Sequence, residues 1–107
     1  MEFNEYQDRA ETYALSTAKG LMYLIPGLAA ESGEVAGKWA KYLRDAHFRD
    51  NSILKEDMKK ELGDCLWFIA MIAEQFNIKL EDVAITNIDK LEDRKQRNQI
   101  GGSGDER

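Results

Sequence analysis

The chain of 107 residues contains a single cysteine, a single proline and a single histidine. With Cys65 alone no intrachain disulfide can form, which suits a reducing cytoplasm. His47 stands in a polar stretch without a second histidine, which argues against a zinc or di-iron site. No run of β-branched residues alternates with polar ones, so nothing signals a sheet. No apolar run reaches about 18 residues and no leader-like segment is seen, so no membrane span or signal peptide is expected. Basic residues are outnumbered, 15 against 20, for a formal charge of −5. General nucleic-acid binding needs a basic footprint and is not expected. A phosphate-bearing small substrate is compatible with this charge if a cation mediates. Apolar residues at 43% and charged residues at 33% fit one soluble, helix-rich domain with a modest core, expected to be cytoplasmic.

Helical spacing fills the chain. Phe3, Tyr6, Ala10, Tyr13 and Ala14 share one side of a helix expected over residues 3–18. Asn4 is its expected N-cap and Gln7 the capping-box partner, with Gly20 ending the segment. Proline is tolerated in a helix near its start, so Pro26 predicts a second helix from about residue 26 to residue 46. At about 100° per residue, Leu28, Val35, Trp39, Tyr42 and Ala46 form its stripe, with Glu31, Glu34 and Lys38 on the adjoining edge. Residues 47–51 read as a loop, and Asn51 or Ser52 as the cap of a third helix reaching about Phe76. Its main stripe is Leu54, Met58, Leu62, Cys65, Ile69, Ile72 and Phe76, with Cys65 as inert packing and Glu61 and Asp64 at the edge beside Phe68. Residues 65–73 are apolar nearly all round, and such a helix needs cover on more than one side. In so short a chain a second subunit is the expected cover. Residues 77–79 turn into a fourth helix over about 80–97, apolar along Leu80, Ala84, Ile88 and Leu91, with Asn87, Lys90 and Arg94 on an adjoining edge. Residues 101–107 read as a flexible tail after a single domain of residues 1–100. The expected fold is all-α, a four-helix bundle completed by oligomerisation.

Two stretches carry chemistry. Glu31-Ser-Gly-Glu34 and Glu61-Leu-Gly-Asp64 each place two carboxylates three residues apart, one above the other on a helix face. Two such helices side by side gather four carboxylates around one small volume, where they repel unless a cation sits among them. Oxygen donors of this kind suit a hard cation, Mg²⁺ or Mn²⁺, holding phosphate oxygens. Either pair alone is common on a solvated face; their repetition at the border of an apolar stripe is more specific. Each pair also carries a glycine before its second acid. Glycine in a helix costs about 1 kcal/mol relative to alanine, so two in matching places point to close approach of a backbone or a ligand.

The combined pattern resembles the MazG-type nucleoside triphosphate pyrophosphohydrolases. The segments 27–34 (Gly-Leu-Ala-Ala-Glu-Ser-Gly-Glu) and 61–67 (Glu-Leu-Gly-Asp-Cys-Leu-Trp) are similar to that family's two acidic motifs, and Asn87-x-x-Lys90-x-x-x-Arg94 to its last-helix pattern. The likeness spans roughly residues 3–97. It implies Mg²⁺-dependent cleavage of a nucleoside triphosphate between the α- and β-phosphates, giving a monophosphate and pyrophosphate, in nucleotide-pool sanitation. Glu31, Glu34, Glu61 and Asp64 would then hold one or more Mg²⁺ ions, with Mn²⁺ as a substitute. Glu34 is the preferred general base, and Glu61 is grouped with it as catalytic. Lys38 either reaches a phosphate oxygen or pairs with Glu34 in an i,i+4 contact worth about 0.2–0.5 kcal/mol. Asn87, Lys90 and Arg94 either donate to phosphates, across a subunit boundary or within one chain, or belong to a solvated face beside Glu92 and Asp93. Trp39, Trp67 and Phe68 are candidates for the base pocket, with Phe3 and Gln7 as lid or edge-reader, although aromatics at helical spacing are more often plain core. The family implies at least a homodimer, and some relatives pair dimers into tetramers. Two alternatives stand beside this: a relative specific for dUTP, dCTP or phosphoribosyl-ATP, and a non-catalytic helical interaction module, which four intact motif carboxylates disfavour.

Overall fold

Two long helices form the spine of the molecule. The computed structural model describes residues 1–45 and 52–107. In it α1 spans Phe3–Glu11, α2 Leu21–Asp45, α3 Ser52–Gln75 and α4 Leu80–Gln96. The fold is all-α, as the helical spacing predicts. Helices α2 and α3 lie antiparallel: Gly27 meets Phe68 towards one end, and Tyr42 shares a depression with Leu54 towards the other. The expected loop at 47–51, the Asn51 cap, Ala46 and His47 lie outside the described residues. The core occupies the Gly27–Phe68 end, where Leu24, Phe68, Ala70 and Met71 meet Ala10 of α1 and Leu80 of α4.

Helix α1 is shorter than expected. It ends at Glu11, and Ser16–Ala18 form a separate 3₁₀ turn. The Thr12 hydroxyl donates to the Arg9 carbonyl at 2.7 Å, in competition with the helix ladder. Tyr13 is consequently thrown outward, 79% exposed, whereas Ala14 still packs on the core. Asn4 and Gln7 do not form the expected capping box either. They reach across to α4, where Gln7 Oε1 accepts from the Leu80 amide at 2.9 Å and Asn4 Oδ1 from the Glu81 amide at 3.1 Å. The first amides of a helix have no intrahelical partner, and Lys79, at the N-cap of α4, supplies no side-chain bond. Side chains of α1 therefore cap α4.

Helix α2 starts five residues before the expected position, with Pro26 inside it. The missing proline N–H frees the carbonyl of Met22, a residue 96% exposed, so water can take that bond. Burial of Leu24, which is fully enclosed, outweighs the loss. Helix α3 ends as expected: Asn77 adopts a left-handed φ of 57°, and the Ile78 amide bonds back to the Ala73 carbonyl at 2.8 Å.

The helix faces are rotated from the predicted stripes. On α3 the chain buries Phe68, Met71 and Ala73 and half-buries Glu61, leaving Leu62 56%, Ile69 37% and Phe76 58% exposed. On α4 only Leu80 of the predicted apolar side is buried, and Ile88 and Leu91 are exposed. The Cα radius of gyration is 16.8 Å, against about 13 Å for a compact domain of this size. This chain does not cover its own apolar surface.

Candidate active site

The carboxylates lie one turn from the core on both long helices. On α2 the inward positions run Leu24, Gly27 and Leu28, Glu31, Val35, Lys38 and Tyr42, at helical spacing. On α3, Asp64 and Glu61 precede Phe68. Because the helices are antiparallel, Glu31 comes opposite Asp64 and Glu61. One carboxylate oxygen from each of Glu31, Glu61 and Asp64 falls within 4.8 Å of the other two. Glu31 and Glu61 are half-buried and Asp64 is exposed. Partial burial, then the charges of Asp64, Glu61 and Glu34, push the Glu31 carboxyl above the ordinary glutamate range.

Glu34 stands outside this group, exposed, one turn further along α2. Its charge is felt at Glu31, but three carboxylates converge among the described residues where the sequence suggested four. Lys38 reaches across the hairpin to α3 rather than back to Glu34: its Nζ lies 3.8 Å from Glu61 Oε1, the two side chains 34% and 15% exposed. From α1, Tyr6 packs against the core on the Asp64 side of the cluster. Burial, and then the Asp64 charge, raise its phenol above the ordinary value. The sequence placed Tyr6 on an apolar side and gave no sign of a charged neighbour.

Neither motif glycine explains itself by close approach within the chain. A β-carbon on Gly33 or Gly63 would meet nothing within 4 Å. The tight position is Gly27, over which the Phe68 ring lies.

The proposed base-pocket residues divide. Gln7 is buried, and besides accepting from Leu80 it donates from Nε2 to the Ile78 carbonyl at 2.9 Å and the Ala70 carbonyl at 3.3 Å. Trp67 donates to the Ala10 carbonyl at 3.1 Å, and Phe68 is core, meeting Trp67 edge-on. Phe3 is 48% exposed beside Ile85 and Ile88. Trp39 is 46% exposed and stacks on Tyr42, with centroids 5.7 Å apart.

Of the three last-helix residues, Asn87 and Lys90 line a shallow depression with Thr86 and Val83. Arg94 is buried, and residues 101–107 fold back over it. Its Nη2 donates to the Asp105 carbonyl at 2.9 Å and lies 3.5 Å from the Asp105 carboxylate, which also pairs with Lys90 at 3.2 Å. Arg94 Nε has no hydrogen-bond partner. Lys90 and Arg94 thus face the C-terminal segment, while among the described residues the cation that touches the carboxylate cluster is Lys38.

The family model of the MazG nucleotide pyrophosphohydrolase domain matches residues 20–98. The chain belongs to the MazG family. The match takes in the whole acidic hairpin and α4, and leaves α1, with its caps on α4, outside. A protein of Mycobacterium phage L5 named "Gene 37 protein" is 44% identical over 92 residues, covering 83% of this chain and 78% of the relative. No solved structure matches. MazG membership accounts for the two acidic motifs and the all-α fold together. Among the described residues, no helix is long and apolar enough to cross a membrane.

Proposed function

We propose that this MazG domain hydrolyses a nucleoside triphosphate, a deoxynucleotide among the candidates, between its α- and β-phosphates in a Mg²⁺-dependent reaction. The observation that carries this is the convergence of Glu31, Glu61 and Asp64 across the α2–α3 hairpin, with Lys38 beside them. Three hard oxygen donors on a half-buried, mutually repelling site fit Mg²⁺, or Mn²⁺ in its place, and no sulfur or imidazole donor competes among them. When bound, the ion neutralises phosphate charge and acidifies the attacking water.

The chain's own groups do the rest. Glu34, next to the three ligands but not among them, is the general base that takes the water proton. The water oxygen bonds to phosphorus as the α–β bridging P–O bond breaks, and the products are a monophosphate and pyrophosphate. Lys38, Lys90 and Arg94 supply positive charge to the phosphates and Asn87 an amide N–H, with Lys90 and Arg94 first giving up Asp105. Exposed Leu62, Ile69 and Phe76 on α3, with Ile85 and Ile88 on α4, support a homodimer, and a pair of dimers is compatible with the same surfaces. Nucleotide-pool sanitation in the cytoplasm is the role that fits this reaction.

The test is release of pyrophosphate from a panel of ribo- and deoxyribonucleoside triphosphates, with Mg²⁺ or with EDTA. Metal-dependent release of pyrophosphate and monophosphate, lost in Glu61→Gln while the fold survives, supports the proposal. Release of single phosphate would mean that another bond is cleaved, and no turnover of any triphosphate would sink the activity.

A further inference from the structure

We propose that Lys38 is the built-in counter-cation of the carboxylate cluster: it neutralises Glu61 while the site awaits a divalent ion, and gives Glu61 up when the ion loads. The inference rests on the metal-binding reading above.

The first support is geometric. Glu34 lies at i−4 from Lys38, where a helical ion pair would normally form, yet Lys38 crosses the hairpin to Glu61 at 3.8 Å. Charge is the second. Three ionised carboxylates give the empty cluster a charge of −3, which Lys38 reduces to −2 (−3 + 1) until a divalent ion takes over the task. The third support is the looseness of the contact. At 3.8 Å it is an ion pair beyond hydrogen-bond length, so an incoming cation need break no directional bond. Lysine suits this task, being a point charge on a flexible four-carbon stem, where the planar fork of an arginine would lock onto a carboxylate. Glu61 is only 15% exposed at the side chain, so solvent screens the pair less than it would a surface pair. Lys38, 34% exposed, keeps a path to solvent and, once released, to a substrate phosphate.

On this account Lys38 is a positioning residue that competes with the metal, and the experiment needs no turnover. Mn²⁺ affinity is measured by calorimetry without nucleotide, and melting temperature in EDTA and in Mn²⁺, for the wild type, Lys38→Met, Lys38→Gln and Lys38→Arg. Loss of one positive charge beside the site is expected to tighten Mn²⁺ binding about tenfold. Both neutral variants should melt lower in EDTA and gain more on adding Mn²⁺, and Lys38→Arg, which keeps the charge and grips Glu61 more firmly, should bind Mn²⁺ no more tightly than the wild type. Unchanged or weaker Mn²⁺ binding in both neutral variants overturns the proposal and leaves Lys38 as a phosphate ligand or a support for Glu61. If the wild type itself binds no Mn²⁺, it is the metal reading that has failed, and this inference goes with it.

Discussion

The Phe68 ring lies so close over Gly27 that a β-carbon at residue 27 would clash with three of its ring carbons. This contact joins α2 to α3 one turn from Glu31 and Asp64, so it sets the spacing of the carboxylate layer. Gly27→Ala gains about 1 kcal/mol of helix propensity, but overpacking of a filled core costs about 1–3 kcal/mol. The expected outcome is net destabilisation together with a reduced Mg²⁺-induced rise in melting temperature, because the helices are forced apart. A more stable Gly27→Ala protein with an intact Mg²⁺ response would show that the contact does not position the site.

Gln7 bonds three backbone groups on α3, the following turn and α4. Truncation to alanine leaves the Leu80 amide without its cap in a buried setting. A cost of about 1–3 kcal/mol is expected, read as a lower denaturation midpoint. If Gln7 instead reads the nucleotide base, Gln7→Ala will raise KM with little change in stability.

In metal-free buffer the chain should become more stable on mild acidification. The Glu31 carboxyl is raised by partial burial and by Asp64, Glu61 and Glu34; Glu74 is raised by partial burial and then by Glu11 and Asp8. In both cases the folded chain holds a proton that the unfolded chain has already lost. Stability therefore grows as pH falls from neutral through the raised folded values towards the ordinary glutamate value of 4.5. Asp105 works in the opposite sense. It is held low by its hydrogen bond and charge pairing with Lys90 and then Arg94, and what it contributes is lost only as pH falls below 3.8. Thermal melts from pH 7 to pH 5 in EDTA should show the rise. Glu31→Gln should shrink it, and saturating Mg²⁺ should remove the part due to Glu31.

Trp39 is the exposed member of the tryptophan pair, while Trp67 donates to the Ala10 carbonyl within the packed end of the hairpin. Binding of a nucleoside triphosphate is therefore expected to quench Trp39 emission, and Trp39→Phe to abolish the quench without lowering the melting temperature. Quenching that persists in Trp39→Phe would direct attention back to Trp67.

How much of this was legible beforehand depends on what each pattern physically encodes. The spacing of apolar residues located α3 and α4 almost to their ends, because a helix needs one continuous apolar face and Asn77 marks its stop. The same spacing misjudged α1 and the start of α2. There the deciding forces were a threonine hydroxyl competing for a carbonyl and the enclosure of Leu24, neither of which shows in periodicity. On α3, nearly all round apolar over residues 65–73, two faces were equally admissible. The packed chain turns Phe68 and Met71 inward with Glu61 and leaves Leu62, Ile69 and Phe76 outside.

Sequence by itself determined the all-α class, the two acidic pairs and the MazG family, since these depend on residue type at fixed separation along one helix. Only the tertiary structure decided which carboxylates converge, that Lys38 answers Glu61 rather than Glu34, and that Asn4 and Gln7 of α1 cap α4. Those relationships depend on the register and rotation of one helix against another. That register is fixed by a ring resting on a glycine, a contact between residues 41 positions apart (68 − 27).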